Sequence, residues 1–115
     1  MTAASNEPFV FVSHATPDLA EARRIVGDLR ARGLRTWLAK DDADPGRDYA
    51  IQLEEAVQNC AAFIVLVSSS ANRSPFVRAE TELAFAEHEI FPVRIEDVQP
   101  APGLAFFLRL KHWTD

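Results

Sequence analysis

A carboxylate set among apolar positions is the feature of this sequence best placed to do chemistry. Residues Ser74 to His88 read SPFVRAETELAFAEH. On a helical wheel turned about 100° per residue, Phe76, Leu83 and Ala84 mark an apolar arc. Glu80 falls on that arc between Phe76 and Ala84, while Arg78, Glu82 and Phe85 fall toward the opposite side. Glu87 projects near the same arc but close to the helix end, where a long side chain reaches water. Burying a carboxylate without a partner is costly, so Glu80 is expected to reach a cleft, pair with a cation or hold a proton. The pattern alone admits two readings: an ion pair with Arg73, Arg94 or nearby backbone, or a functional carboxylate with a perturbed pKa.

Other reactive groups are weaker candidates. Ser13-His14 follows an apolar run and reads as a turn cap rather than a nucleophilic pair, since His14 has no acidic partner nearby in sequence. Asp42, Asp44, Pro45, Gly46 and Arg47 read as a solvated turn or a ligand loop, and Trp37 and Phe76 as core or as stacking faces. The single cysteine, Cys60, cannot form an internal disulfide and reads as core, and the three histidines show no metal-ligand spacing. No metal is expected. A net charge of −5 argues against neutralising nucleic-acid phosphates. No apolar run approaches the roughly 20 residues that cross a bilayer, and the opening MTAASNEPFVF lacks a signal peptide's pattern. The expectation is a cytoplasmic chain with no membrane and no direct nucleic-acid partner.

These residues need elements to position them. Phe9 to Val12 predicts a buried strand. From Leu19, the positions Ala22, Ile25, Val26 and Leu29 recur at helical spacing until Gly33 stops the helix. Leu34 to Leu38 predicts a second strand and Ala39 to Arg47 a loop. A helix then carries Leu53, Ala56, Val57 and Cys60 on one face. Ala61 to Val67 is unbroken hydrophobic sequence, as a central strand covered on both faces requires. Ser68 to Arg73 predicts a loop, and Ser74-Pro75 an N-cap with proline at the first helical position. The helix from there runs to about His88. Ile90 to Ile95 predicts a fourth strand, Leu104 to Leu110 is ambiguous, and Lys111 to Thr114 offers a fifth.

Strands alternating with helices imply right-handed crossovers and a doubly wound, flavodoxin-like α/β fold with a parallel sheet of about five strands. Ligands of such sheets bind at the carboxyl ends of the strands. The candidate loops are therefore Ser13 to Asp18, Ala39 to Arg47 and Ser68 to Ser74. At 115 residues one domain spans the chain. A covering helix is missing at the end, so the chain is expected to be the N-terminal part of a longer protein. A phosphoacceptor receiver domain needs acidic residues where Ser13-His14 and Ser68-Ser69 stand. A phosphate-cradling loop after the first strand needs glycine, which SHATPD lacks.

The order of these motifs resembles the Toll/interleukin-1 receptor (TIR) domains, particularly their bacterial NAD+-hydrolase group. Phe9 to His14 is similar to the family's first box, and Gly33 to Tyr49 to its second strand and BB loop. Ala62 to Ser68 with Ser74 to Glu80 is similar to the strand and helix that present its catalytic glutamate. The family's Trp-x-x-x-Glu pattern becomes Phe76-Val-Arg-Ala-Glu80, which keeps an aromatic face and loses the indole N–H. Ala39 stands where many relatives are acidic. The resemblance implies cleavage of the nicotinamide–ribose bond of NAD+, as substrate and with no cofactor, Glu80 being the catalytic residue. It implies a pocket wall of Ser13, His14, Trp37, Asp42, Arg47 and Phe76, with Arg47 reaching the diphosphate. Asp44, Pro45 and Gly46, in the BB loop, are expected to contact a neighbouring copy. TIR–TIR self-association and a fused or associated sensor domain are the further expectations, as in an assembly-activated effector of bacterial anti-phage defence. Two alternatives stand beside this: a non-catalytic TIR–TIR interaction module, or a different N-glycosidic-bond enzyme such as a nucleoside deoxyribosyltransferase.

Overall fold

In chain order the elements are strand β1 (Val10–Ser13), helix α1 (Leu19–Ala31), strand β2 (Thr36–Trp37), helix α2 (Ala39–Asp42), helix α3 (Tyr49–Asn59), strand β3 (Ala62–Val67), helix α4 (Ser69–Asn72), helix α5 (Pro75–Phe85) and strand β4 (Ile90–Arg94). A single 3-10 turn, Thr16–Asp18, leads into α1. This is a computed structural model, and it describes residues 7–102. The ambiguous segment 104–110, the fifth strand expected at 111–114 and the question of a last helix lie outside the described residues.

The four strands form one parallel sheet in the order β2-β1-β3-β4. Chain order reverses between β1 and β3, which makes the crevice above their carboxyl ends the place where such sheets bind ligands. Strand parity sorts the core into two layers. Phe11, Phe63, Val65 and Val67 point to one face and pack with Ala56 and Val57 of α3 and Val77 and Ala84 of α5. Val12 and Leu66 point to the other, against Ala22 and Val26 of α1. Both faces are covered, so these strands need no polar alternation. On the α3/α5 face Trp37, Phe11 and Phe63 stack across three strands, with ring centroids 5.2 and 5.1 Å apart.

Local chemistry sets the ends of the helices. Gly33, at φ 87°, terminates α1: its N–H bonds to the Arg30 carbonyl and that of Leu34 to the Leu29 carbonyl, the two bonds of a glycine-based C-terminal cap. Asp48 caps α3 by accepting from the Ile51 N–H, and Ser74 caps α5 by accepting from Val77, with Pro75 following. Cys60 is buried, its Sγ donates to the Val57 carbonyl, and desolvation pushes its thiol up to about 11. No helix among the described residues is long and apolar enough to cross a membrane.

Three details differ from the sequence reading. Ala39–Asp42 forms a short helix where a loop is expected, tied to α1 by the two-pronged Arg23–Asp41 pair at 2.7 and 3.1 Å. Ser69–Asn72 is likewise helical, nucleated by the Ser68 hydroxyl accepting from the Ala71 N–H. Helix α5 stops at Phe85 rather than His88.

Phe63 is fully buried at the sheet centre. The Phe63→Ala variant is expected to lose about 3–5 kcal/mol of stability, read as a lowered urea midpoint, and a loss under about 1 kcal/mol contradicts this packing.

Candidate active site

Strand parity delivers the first functional side chain. Ser13 lies two residues beyond Phe11 and so points to the same face, at the carboxyl end of β1, beneath α5. The buried face of α5 consists of Val77, Glu80, Thr81 and Ala84, at i, i+3, i+4 and i+7. Val77 and Ala84 pull this face into the core, and Glu80 travels with them. The apolar arc is thus centred elsewhere than the sequence reading put it, since Phe76 and Leu83 are 44 % and 39 % exposed. Glu80 itself is 4 % exposed, deeper than that reading implied.

Ser13 Oγ donates to Glu80 Oε1 at 2.5 Å. Desolvation dominates the state of this carboxyl and pushes it up to about 7, while the Ser13 hydrogen bond opposes the shift. No arginine or lysine among the described residues offsets the burial, so the ion pair with Arg73 or Arg94 is not what holds Glu80. The carboxyl faces a cavity of about 100 Å³. Val12, His14 and Thr16 wall it from the β1 end, Ala39 and Lys40 from α2, and Tyr49 and Phe76 from the first turns of α3 and α5. His14 is half-buried, and burial lowers its pKa from 6.5 although Asp18 and Asp41 oppose the shift, which favours the neutral imidazole. The phenol of Tyr49 is pushed up, first by burial and then by the Glu80 charge. Below the cavity Ser68 Oγ donates to Asp18 Oδ2 at 2.5 Å, tying the end of β3 to the turn before α1.

The structure therefore gathers Glu80, Ser13, His14 and Phe76. Trp37 and Arg47 line a separate groove of about 240 Å³ beside β2, where Arg47 pairs with Glu55 at 3.0 Å. Asp42 serves its own backbone, accepting from the Leu38 N–H at 2.8 Å, with Arg30 3.7 Å away. Asp44, Pro45 and Gly46 form an exposed turn in which the Gly46 N–H bonds to Asp44 Oδ1. Gln52 secures this turn: it accepts from the Asp44 N–H and donates to the carbonyls of Asp44 and Arg47. Sequence reasoning missed Tyr49, Lys40 and Gln52. Of these, only Gln52 left a signal, a polar residue one position before the apolar Leu53 of α3. Among the described residues no cluster of His, Cys, Asp or Glu could hold a metal ion.

Residues 10–115 match the family model described as TIR domain. Among solved structures, the TIR domain of the Toll-related receptor TRR-2 from Hydra magnipapillata superposes with a TM-score of 0.81 at 21 % identity, covering 92 % of this chain and 82 % of that one. The TIR domains of the activated Roq1 resistosome recognising the effector XopQ give 0.73 at 18 %, covering 90 % and 70 %. The CMP N-glycosidase BcmB of Clostridium botulinum gives 0.62 at 21 %, covering 90 % and 85 %. At these identities the likeness speaks for the fold. No curated protein matches the sequence significantly.

The raised pKa of Glu80 has a signed consequence for stability. Between its ordinary value of 4.5 and about 7 the folded chain holds a proton that the unfolded chain releases. This group's contribution is therefore complete below the lower value and is lost as pH rises through the window. The stability difference between the wild-type chain and Glu80→Gln is expected to shift against the wild type by on the order of 3 kcal/mol across that window. Chemical denaturation at a series of pH values measures it, and a pH-independent difference contradicts the burial described.

Proposed function

The chain belongs to the TIR domain family, and from that membership we propose that it is an NAD+ glycohydrolase in which Glu80 is the catalytic carboxylate. The observation that carries the reading is a buried carboxyl group whose partner among the described residues is a neutral hydroxyl, opening on a cavity between the carboxyl end of β1, helix α2 and the first turns of α3 and α5. A scaffold domain has no use for so costly an arrangement, whereas a glycosidic-bond enzyme does. That a glycosidase, BcmB, shares the sheet is consistent with this class of chemistry.

The reaction suits a single carboxylate. When the bond between ribose C1′ and the pyridinium nitrogen breaks, its electron pair passes to the ring, which leaves as neutral nicotinamide. No general acid is needed. C1′ gains oxocarbenium character, and the Glu80 anion stabilises that charge in a site with little competing water. Water then adds to C1′ and gives up a proton, yielding ADP-ribose; attack by a nitrogen of the adenine yields a cyclic product instead. Ser13 is a positioning residue. It fixes the carboxylate rotamer and favours the ionised form by donating to it.

A cavity of about 100 Å³ is too small for a dinucleotide, so the walls supplied by α2 and Tyr49 must part or be rebuilt against a neighbouring copy. We therefore assign activity to the assembled form, with the exposed turn Asp44-Pro45-Gly46 as a contact and an associated sensor driving clustering in the cytoplasm. Anti-phage defence by NAD+ depletion is the setting that this chemistry serves.

Assembled or highly concentrated protein is expected to release nicotinamide from NAD+, and Glu80→Gln to lower that release at least about 100-fold while the folded chain persists by circular dichroism. Absence of turnover in every assembled state would instead make the domain an interaction module. Because the anion is the working form, kcat/KM should rise with pH through a single ionisation near 7. Ser13→Ala, which deletes the opposing hydrogen bond, should move that inflection to higher pH, and an unmoved inflection removes Ser13 from this role.

A further inference from the structure

The cavity over the end of β1 carries a second ionisable group to which cleavage of the glycosidic bond gives no task. Glu80 enters from the α5 side. His14, the first residue after β1, enters from the side of α1 and α2, where Asp18, Asp41, Lys40 and Arg23 are the charges it feels. Its imidazole makes no hydrogen bond among the described residues, so the ring nitrogen that lacks a hydrogen is open to a ligand's proton. Burial favours the neutral ring near pH 7. The two carboxylates that face it are themselves fixed, Asp18 by the Ser68 hydroxyl at 2.5 Å and Asp41 by Arg23 at 2.7 and 3.1 Å. A proton arriving on His14 therefore meets two anchored anions. A group that is neutral at rest and supported once charged has the properties of a general base.

We propose that His14 is the general base that takes the proton of the water attacking C1′, so that the pocket directs the sugar cation to water in preference to other nucleophiles. The inference rests on reading Glu80 as the carboxylate at the reacting carbon, and it adds the group that completes the second half of the reaction. Nicotinamide has by then left with the bonding electron pair. A lone pair of water forms the new O–C1′ bond, the water's O–H bond breaks toward the open His14 nitrogen, and the outcome is a neutral C1′ hydroxyl and an imidazolium. Asp18 and Asp41 stabilise that imidazolium until it returns its proton to solvent. The division of labour leaves Glu80 ionised through the cycle. A pyridine nitrogen, which has no proton to lose, adds to the same cation without a base.

The test lets two nucleophiles compete for one cation. The assembled full chain is given NAD+ together with 3-acetylpyridine, and the base-exchanged dinucleotide and ADP-ribose are quantified in the same chromatogram. Both products follow the same bond cleavage, so the protonation of Glu80 cancels from their ratio, which reports the capture step alone. His14→Gln and His14→Asn are each expected to raise the ratio of exchange to hydrolysis at least about tenfold over the wild type, a modest part of what a general base contributes. In the wild type, hydrolysis should gain on exchange as pH rises through an ionisation below 6.5, and in the variants the ratio should be flat. A ratio that fails to rise in the variants, an equal loss of both products, or a wild-type ratio indifferent to pH between about 5 and 8 overturns the proposal. The wild-type profile requires no variant to fold. The outcome is also separable from that of the proposed reaction. A wild-type chain that forms neither product removes the enzyme itself, whereas wild-type hydrolysis with a ratio that ignores His14 removes only the base.

Discussion

The hydrogen bond from Ser13 to Glu80 joins the end of an inner strand, β1, to the face of the helix that covers it, 67 residues further along the chain. A carboxyl group placed so deeply has few options. It can keep its proton, find a cation or recruit a hydroxyl, and here burial and one hydroxyl leave it balanced between charged and neutral near pH 7. That balance depends on the surroundings staying dry, which depends in turn on Val77 and Ala84 seating α5 on the sheet and on α2 and Tyr49 closing the other side. The site is thus a by-product of core packing as much as of any polar contact.

The walls differ greatly in how firmly they are held. Helix α5 rests on a fully buried strip of the core. Helix α2 has four residues, too few to be stable alone, and no buried side chain. It is held by the exposed Arg23–Asp41 pair, by Asp42 reaching back to the Leu38 N–H, and by its neighbour turn, which Gln52 fastens. Exposed ion pairs contribute little individually, even with two-pronged geometry. The rigid wall therefore carries the carboxylate, and the weakly held wall is the one a large ligand must displace.

What could be read from the residues follows the strength of their hydrophobic signal. The doubly wound class, the central position of β3 and the N-cap at Ser74 all came from runs or caps whose local preference agrees with the fold. Glu80 was recognised as inward-facing, but on an arc drawn through Phe76 and Leu83. A wheel weights residues by hydrophobicity alone, whereas the sheet selected the smaller Val77, Thr81 and Ala84, which fit close beneath the helix. Loop composition hid α2 and α4, because Asp, Ser and Asn at helix starts look the same as in turns. Trp37, Asp42 and Arg47 are neighbours of the site in sequence yet lie away from its cavity, since β2 is at the sheet edge and α2 turns the chain over. Tyr49 went unnoticed because a residue at the start of a helix shows no periodicity before it.

Which way a side chain faces along β1 is a matter of counting. Phe11 and Ser13 share a face only because one residue separates them. Lengthening or shortening that strand by a single residue would hand the hydroxyl to the layer beneath α1 and take the Ser13 donor away from the acid. Surface turns can vary in length with little effect inside, but an insertion between Val10 and Ser13 would part the hydroxyl from the acid while leaving every residue of α5 in place.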